Sequence, residues 1–190
     1  MIKKEYLFCV LTATVAMVHG IGDLGKGRWL LQSVEQCDEG DTEGMQVVCE
    51  VDVTRRKHNR TLDVFDIDFQ CNEDVGDMFG VIIIVCKHVD GGCKEWQVLT
   101  DDSVERLAKK YAEGNVRTAF EMAGMDPPDF PVKADKYSIR DYAVDYCELP
   151  KESVYGTFTA VAKLVRSGQA VSCVKCTLQF DEDMDGYECE

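Results

Sequence analysis

The chain has 190 residues and a formal net charge of −14. That sign excludes partners recognised through a basic surface, because phosphate backbones and anionic bilayers repel such a chain, and nucleic acid is not an expected partner. Ten cysteines place it in an oxidising compartment where thiols pair.

Lys3 and Lys4 precede an apolar run from Tyr6 to Val18, which ends at a small residue, Gly20. This is the pattern of a secretory signal peptide, with residues 1–20 removed. Nothing after Gly20 offers the roughly 20 apolar residues of a transmembrane helix. The remaining chain, about 170 residues, suits one domain with one core. The leader carries a net +1, so the mature chain stands at −15, a charge that reads as solubility outside the cell. Cys9 leaves with the leader and nine cysteines remain. One is then left over, and Cys189, beyond the last strand, is the candidate.

Short runs rich in β-branched and aromatic residues follow at 45–53, 62–71, 81–86, 155–165 and 170–180, parted by Gly, Asn and Asp clusters. They predict an antiparallel β-sandwich or barrel. In 62–71, Phe65, Ile67, Phe69 and Cys71 alternate with Asp66, Asp68 and Gln70, so one face is buried and the other wet. Residues 81–85 are apolar on both faces, which fits either a central strand or one whose second face lines a cavity. The hairpin around Ser167-Gly168 leaves the same two options open.

Residues 101–123 break the β pattern. Asp102 and Glu105 have capping-box spacing, and Val104, Leu107, Ala108, Tyr111 and Ala112 share a helical face. Gly114-Asn115 is expected to stop that helix, with a second short one carrying Val116, Ala119, Phe120 and Ala123. Such an insert is either a core cap or a ligand lid. The prolines of 126–131 then enforce an extended connector. Residues 181–190 read as an acidic tail.

One ordered set of motifs goes further. Cys37-Asp-Glu-Gly is followed by Asn59-Arg-Thr, Cys86 and Cys93 after an apolar strand, Pro131-x-Lys-x-x-x-Tyr-Ser, Glu148-Leu-Pro, and Gly168-x-x-x-x-Cys-x-Lys. Over roughly residues 37–180 this resembles the lipid-recognition (ML) domain, as in the lysosomal ganglioside activator and the CheA/CheB-type chemosensory proteins of insects. The resemblance implies a mainly β, immunoglobulin-like sandwich opened into an apolar cup, with glycosylation at Asn59. It also implies bridges Cys37–Cys173 and Cys86–Cys93. Phe130 stands where the family has a cysteine, and none occurs between Cys93 and Cys147, so the bridges that pin the family's helical lid are absent.

A hairpin turning at residue 60 sets Cys49 opposite Cys71. Cys147 and Cys176 are then paired by elimination. The spacing Cys173-x-x-Cys176 matches a redox or zinc motif, but on a strand it sends the two sulfurs to opposite faces, which favours structural bridges. The opening of a calcium loop in the tail lacks its closing Glu. His58 and His88 are the histidines beyond the leader, and no nucleophile elbow or metalloprotease helix accompanies them. Catalytic residues, cofactors and metals are therefore not expected.

The expectation is a secreted carrier of a lipid or other hydrophobic ligand, with Phe65, Ile67, Phe69, Ile83, Val85, Phe120, Phe158 and Leu164 as the cup wall. Trp96 is expected either at the cup rim or as an ordinary packed aromatic, and Trp29 is expected to be exposed. Handing the ligand to a chemosensory receptor competes with presenting a glycolipid to a hydrolase in the lysosomal lumen. A ligand-free interaction protein is the third reading.

Overall fold

The computed structural model describes residues 24–59 and 62–182. The expected leader, Arg60 and Thr61 of the glycosylation motif, the calcium-like tail from residue 183, and Cys189 lie outside them. The architecture is mainly β, an immunoglobulin-like antiparallel sandwich, with strands β1 (Gly25–Lys26), β2 (Arg28–Gln36), β3 (Cys49–Lys57), β4 (Asp63–Cys71), β5 (Gly80–Val89), β6 (Gly92–Asp101), β7 (Lys136–Tyr142), β8 (Glu152–Ser153), β9 (Gly156–Arg166) and β10 (Gln169–Asp181). Among the described residues, two helices, α1 (Glu39–Thr42) and α2 (Val104–Met122), and a 3₁₀ turn (Tyr146–Glu148) complete it.

One sheet runs β2-β10-β9-β5-β6, the facing sheet runs β3-β4-β7, and β1 pairs with β8 at the side. β5, apolar on both faces, lies between β6 and β9, so it is a central strand. The β9–β10 turn is two residues long, with Ser167 at φ 52° and Gly168 at φ 80°. Positive φ at both central positions matches the right-handed twist of the flanking strands.

Expectation and structure part at several boundaries. β3 begins at Cys49 rather than residue 45, because Val48 is drawn off to bond its N–H to the Val171 carbonyl and is buried. β2, β6 and β7 lie outside the expected strands. In β6 nearly every residue is exposed, so an edge strand shows no alternation of apolar and polar residues to read.

The helical insert is one element with a bend. Its N-cap is Ser103, whose Oγ accepts the Arg106 N–H at 3.2 Å, one residue later than the Asp102 expected. The break falls at Ala112 (φ −156°, ψ 38°) rather than at Gly114-Asn115. Asn115 instead anchors the second half. Its N–H and side-chain amide donate to Glu148 Oε2 at 2.9 and 3.0 Å, and its Oδ1 accepts from the Tyr142 hydroxyl at 2.8 Å. A side chain on Gly114 would meet the Glu148 carboxylate. Gly and Asn are thus docking residues, where propensity alone makes them breakers.

Disulfides join Cys37–Cys173, Cys49–Cys71 and Cys86–Cys93. Cys49 and Cys71 are register partners, the arrangement required by a hairpin symmetric about residue 60. The expected Cys147–Cys176 bridge is not formed. Cys147 is disulfide-bonded, but Cys176 is a free thiol. Cys176 sits mid-strand, opposite Val34 of β2 and Ala160 of β9, whereas Cys147 lies on the 3₁₀ turn docked against α2. Burial pushes the Cys176 thiol up to about 11, so it carries no thiolate chemistry at neutral pH.

The core divides into groups. Val48, Cys71, Val75, Phe79, Val132 and Val171 form one, and Phe65, Ile139 and Tyr142 another. Farther along the larger sheet, Trp29 packs its ring 5.2 Å from Phe158 and 4.9 Å from Phe180 and donates its indole N–H to the Pro150 carbonyl at 3.0 Å. Trp29 is therefore a packed aromatic, not the exposed one its context suggested.

The wet face of β4 carries ion pairs. Arg56 Nε lies 2.7 Å from Asp66 Oδ2 and its Nη2 lies 2.6 Å from Asp141 Oδ1, while the Asp141 N–H donates to Asp66 at 2.9 Å. The Arg56 guanidinium, with the Asp141 amide, holds the Asp66 carboxyl down to about 2. A carboxyl depressed in the folded state stabilises the fold above its unfolded value of about 3.9, and that contribution disappears as pH falls toward 2. Asp66→Asn is expected to be less stable than the parent at pH 7, with the gap closing between about pH 4 and pH 2. Paired urea titrations across that range check this, and a gap independent of pH would contradict it.

Candidate ligand-binding cavity

A cavity of about 410 Å³ lies between the two sheets beneath α2. β9 and β10 supply Ala162, Leu164 and Val174 to one wall. The facing sheet supplies Val51 and Phe69, and α2 closes one flank with Val104, Val116, Ala119 and Phe120. The last three follow helical i, i+3, i+4 spacing, which brings them to one face. Val75, Phe130 and Val132 complete the lining, with Val75 and Val132 held by reciprocal backbone bonds of 2.8 Å.

The charged wall residues are Glu50 and Lys163, and the Lys163 amine is engaged by Asp41 at 3.2 Å. Ser172 is also spoken for. Its hydroxyl accepts the Cys49 N–H at 2.7 Å and donates to the Val171 carbonyl at 2.6 Å. The walls therefore offer apolar contact with few free polar groups.

A larger depression, about 560 Å³, opens beside Met78, Asp101, Asp102, Arg106 and the Ser167-Gly168 turn. Arg106 pairs with both aspartates there, so charged groups already satisfied by one another fill its rim. Among the described residues no group of three or more His, Cys, Asp or Glu is placed to hold a metal ion. His88 lies on β5 with its Nε2 2.8 Å from the Thr159 hydroxyl.

Of the eight expected wall residues, the cavity brings together Phe69, Phe120 and Leu164. Phe65 is fully packed against Ile139 and Tyr142, and Ile67 packs on the same cluster. Neither lines the cavity. Phe158 is buried beneath Trp29 and Phe180, with Trp96 at 6.1 Å. Ile83 and Val85 follow Val81 on one face of β5, opposite Ala162 and Ala160, but of these three only Val81 lines the cavity. Trp96 is partly exposed, with the Lys87 amine 5.8 Å from its ring centre.

Sequence reasoning missed Val75, Ala162, Phe130, Val132 and Val174. Val75 and Val132 sit in irregular segments with no period to read. The helical face of Val116, Ala119 and Phe120 was the available signal for the flank.

Fold and cavity together define an immunoglobulin-like β-sandwich with an apolar chamber between its sheets. Among solved structures, the chain is similar to a Niemann-Pick type C2 protein from Japanese carpenter ant, with 10% identity over 83% of this chain and 96% of that one and a TM-score of 0.28. No protein-family model matches the chain, and no curated protein matches it.

Proposed function

We propose that this protein binds a lipid or similarly hydrophobic small molecule between its sheets and carries it through water. The observation that supports this most directly is the chamber itself. Its 410 Å³ falls within the roughly 300–1,000 Å³ of small-molecule sites, and its lining is of the apolar kind such sites use. Binding is an equilibrium: an apolar chain leaves water and gains about 0.8 kcal/mol for each methylene buried. No covalent step is needed.

The setting of the carrier extends the same reading. A leader at residues 1–20, disulfides in the sandwich and the exposed Asn59 at a glycosylation motif support export as a glycoprotein. Among the described residues no helix is long and apolar enough to cross a membrane. Delivery to a chemosensory receptor is the favoured role, because the connector lacks the bridges that fix the lid in the ganglioside activator. Presentation to a lysosomal hydrolase is the alternative.

Straight-chain fatty acids of rising length, competing with an anthroyloxy-labelled fatty acid probe, test the binding reading. Affinity is expected to rise about fourfold per added methylene, the equivalent of 0.8 kcal/mol, until the chamber is full. Affinity that does not depend on chain length would overturn it.

A further inference from the structure

A second, smaller cavity of about 270 Å³ lies between α2 and the connector of residues 126–131, lined by Lys109, Glu113, Arg117, Pro127, Pro128 and Asp129. It shares three walls with the apolar chamber: Val116, Phe120 and Phe130. The Phe120 and Phe130 rings stand edge to face at the shared wall, 5.3 Å apart and inclined at 74°. Above them, Lys109 Nζ reaches Glu105 at 2.7 Å and Asp129 at 3.0 Å, so one amine spans helix and connector. Those two carboxylates raise it to about 12.

We infer that this junction is the chamber's portal, with Phe120 and Phe130 as the gate, the Lys109–Asp129 pair as its clasp, and the charged outer cavity as the resting place of an amphiphile's polar head. This rests on the lipid-binding reading above. The other flank also borders a surface cavity, which shares Glu50, Val51 and Phe69 with the chamber. That flank is built from backbone. β3 and β4 are in continuous register from Cys49↔Cys71 to Lys57↔Asp63, the Cys49–Cys71 disulfide joins them, and the Gln36 side chain bonds the Val51 carbonyl.

Opening the β3–β4 flank would break ladder bonds, whereas swinging the connector away from α2 parts two rings and one half-exposed ion pair. Segments open where fewest backbone bonds are lost. The half of α2 that carries Val116 and Phe120 stays anchored through Asn115 to Glu148 and Tyr142, so the connector is the part that moves. The connector, for its part, has no cysteine to pin it.

Stopped-flow exchange of the anthroyloxy fatty acid into and out of the glycosylated protein tests the portal. Asp129→Asn keeps an oxygen for the Phe130 N–H, which Asp129 now accepts at 2.8 Å, but loses the clasp. Uptake and release are both expected to quicken about two- to fivefold, the weight of one exposed ion pair. Raising the salt should speed the parent and leave the variant unchanged. Phe130→Ala should speed both rates further.

Parent protein that binds the probe, with rates unmoved in Asp129→Asn and insensitive to salt, would overturn the portal and leave the carrier reading standing. Faster exchange in Val51→Ala alone would move the portal to the opposite flank. Parent protein that takes up no probe would remove the carrier reading and the portal with it.

Discussion

Ala162→Trp is expected to abolish uptake of the anthroyloxy fatty acid while the sandwich remains folded. Ala162 lies on β9 between Ile83 of β5 and Val174 of β10 and is one of the smallest side chains in the chamber wall. An indole placed there occupies space the ligand needs. If it displaces even three or four methylenes, affinity falls by about 3 kcal/mol, or roughly a hundredfold. Overpacking a closed core costs about 1–3 kcal/mol, but here the ring enters an existing void, so the cost in stability should sit at the low end. Ala162→Leu should give an intermediate loss. Fluorescence titration with a parallel thermal melt checks both halves. Full-affinity uptake by folded Ala162→Trp would show that the ligand sits elsewhere.

The second large effect concerns the longest covalent loop. Cys37–Cys173 spans 136 residues and ties the chain just past β2 to the middle of β10. On the chain-entropy account a loop of that size restricts the unfolded state by about 5 kcal/mol, against about 2.5 kcal/mol for the seven-residue span of Cys86–Cys93. Small domains are stable by only about 5–15 kcal/mol in total. The double change Cys37→Ala, Cys173→Ala should therefore bring the protein to the edge of folding at 37 °C. The same treatment of Cys86 and Cys93 should leave a folded protein with a reduced urea midpoint. Equal losses at the two bridges would contradict the loop-length ordering.

The sequence announced strands where one face is buried and the other wet, as in β4, and where both faces are covered, as in β5. It was silent on β6, which is exposed along most of its length and held in the sheet by its ladder to β5. Hydrogen bonding of that kind leaves no mark on side-chain pattern. The helical insert was legible from its apolar face, but the place where it breaks was not. Propensity names Gly114-Asn115 as the stop, while the contacts to Glu148 and Tyr142 turn that pair into an anchor and move the break to Ala112.

The same limit shaped the cavity. Alternation along β4 shows that Phe65, Ile67 and Phe69 point inward, but inward means a packed core at Phe65 and a chamber at Phe69. The difference lies in what the facing sheet and α2 bring opposite. Phe158 lies in packed core for the same reason, since Trp29 and Phe180 fill the space above it. Elimination failed at Cys176 because the strand geometry that sets Cys176 apart from Cys147 is not a property of spacing.

A carrier of this kind holds an apolar molecule in its chamber. Native mass spectrometry of residues 21–190, secreted from eukaryotic cells and sprayed before and after solvent extraction, tests it most directly. A resolved adduct of lipid mass, one per chain, is expected, which extraction removes and offered fatty acid restores. A bare protein mass that stays bare in the presence of offered lipids and hydrocarbons would contradict it and leave the sandwich as a ligand-free interaction protein.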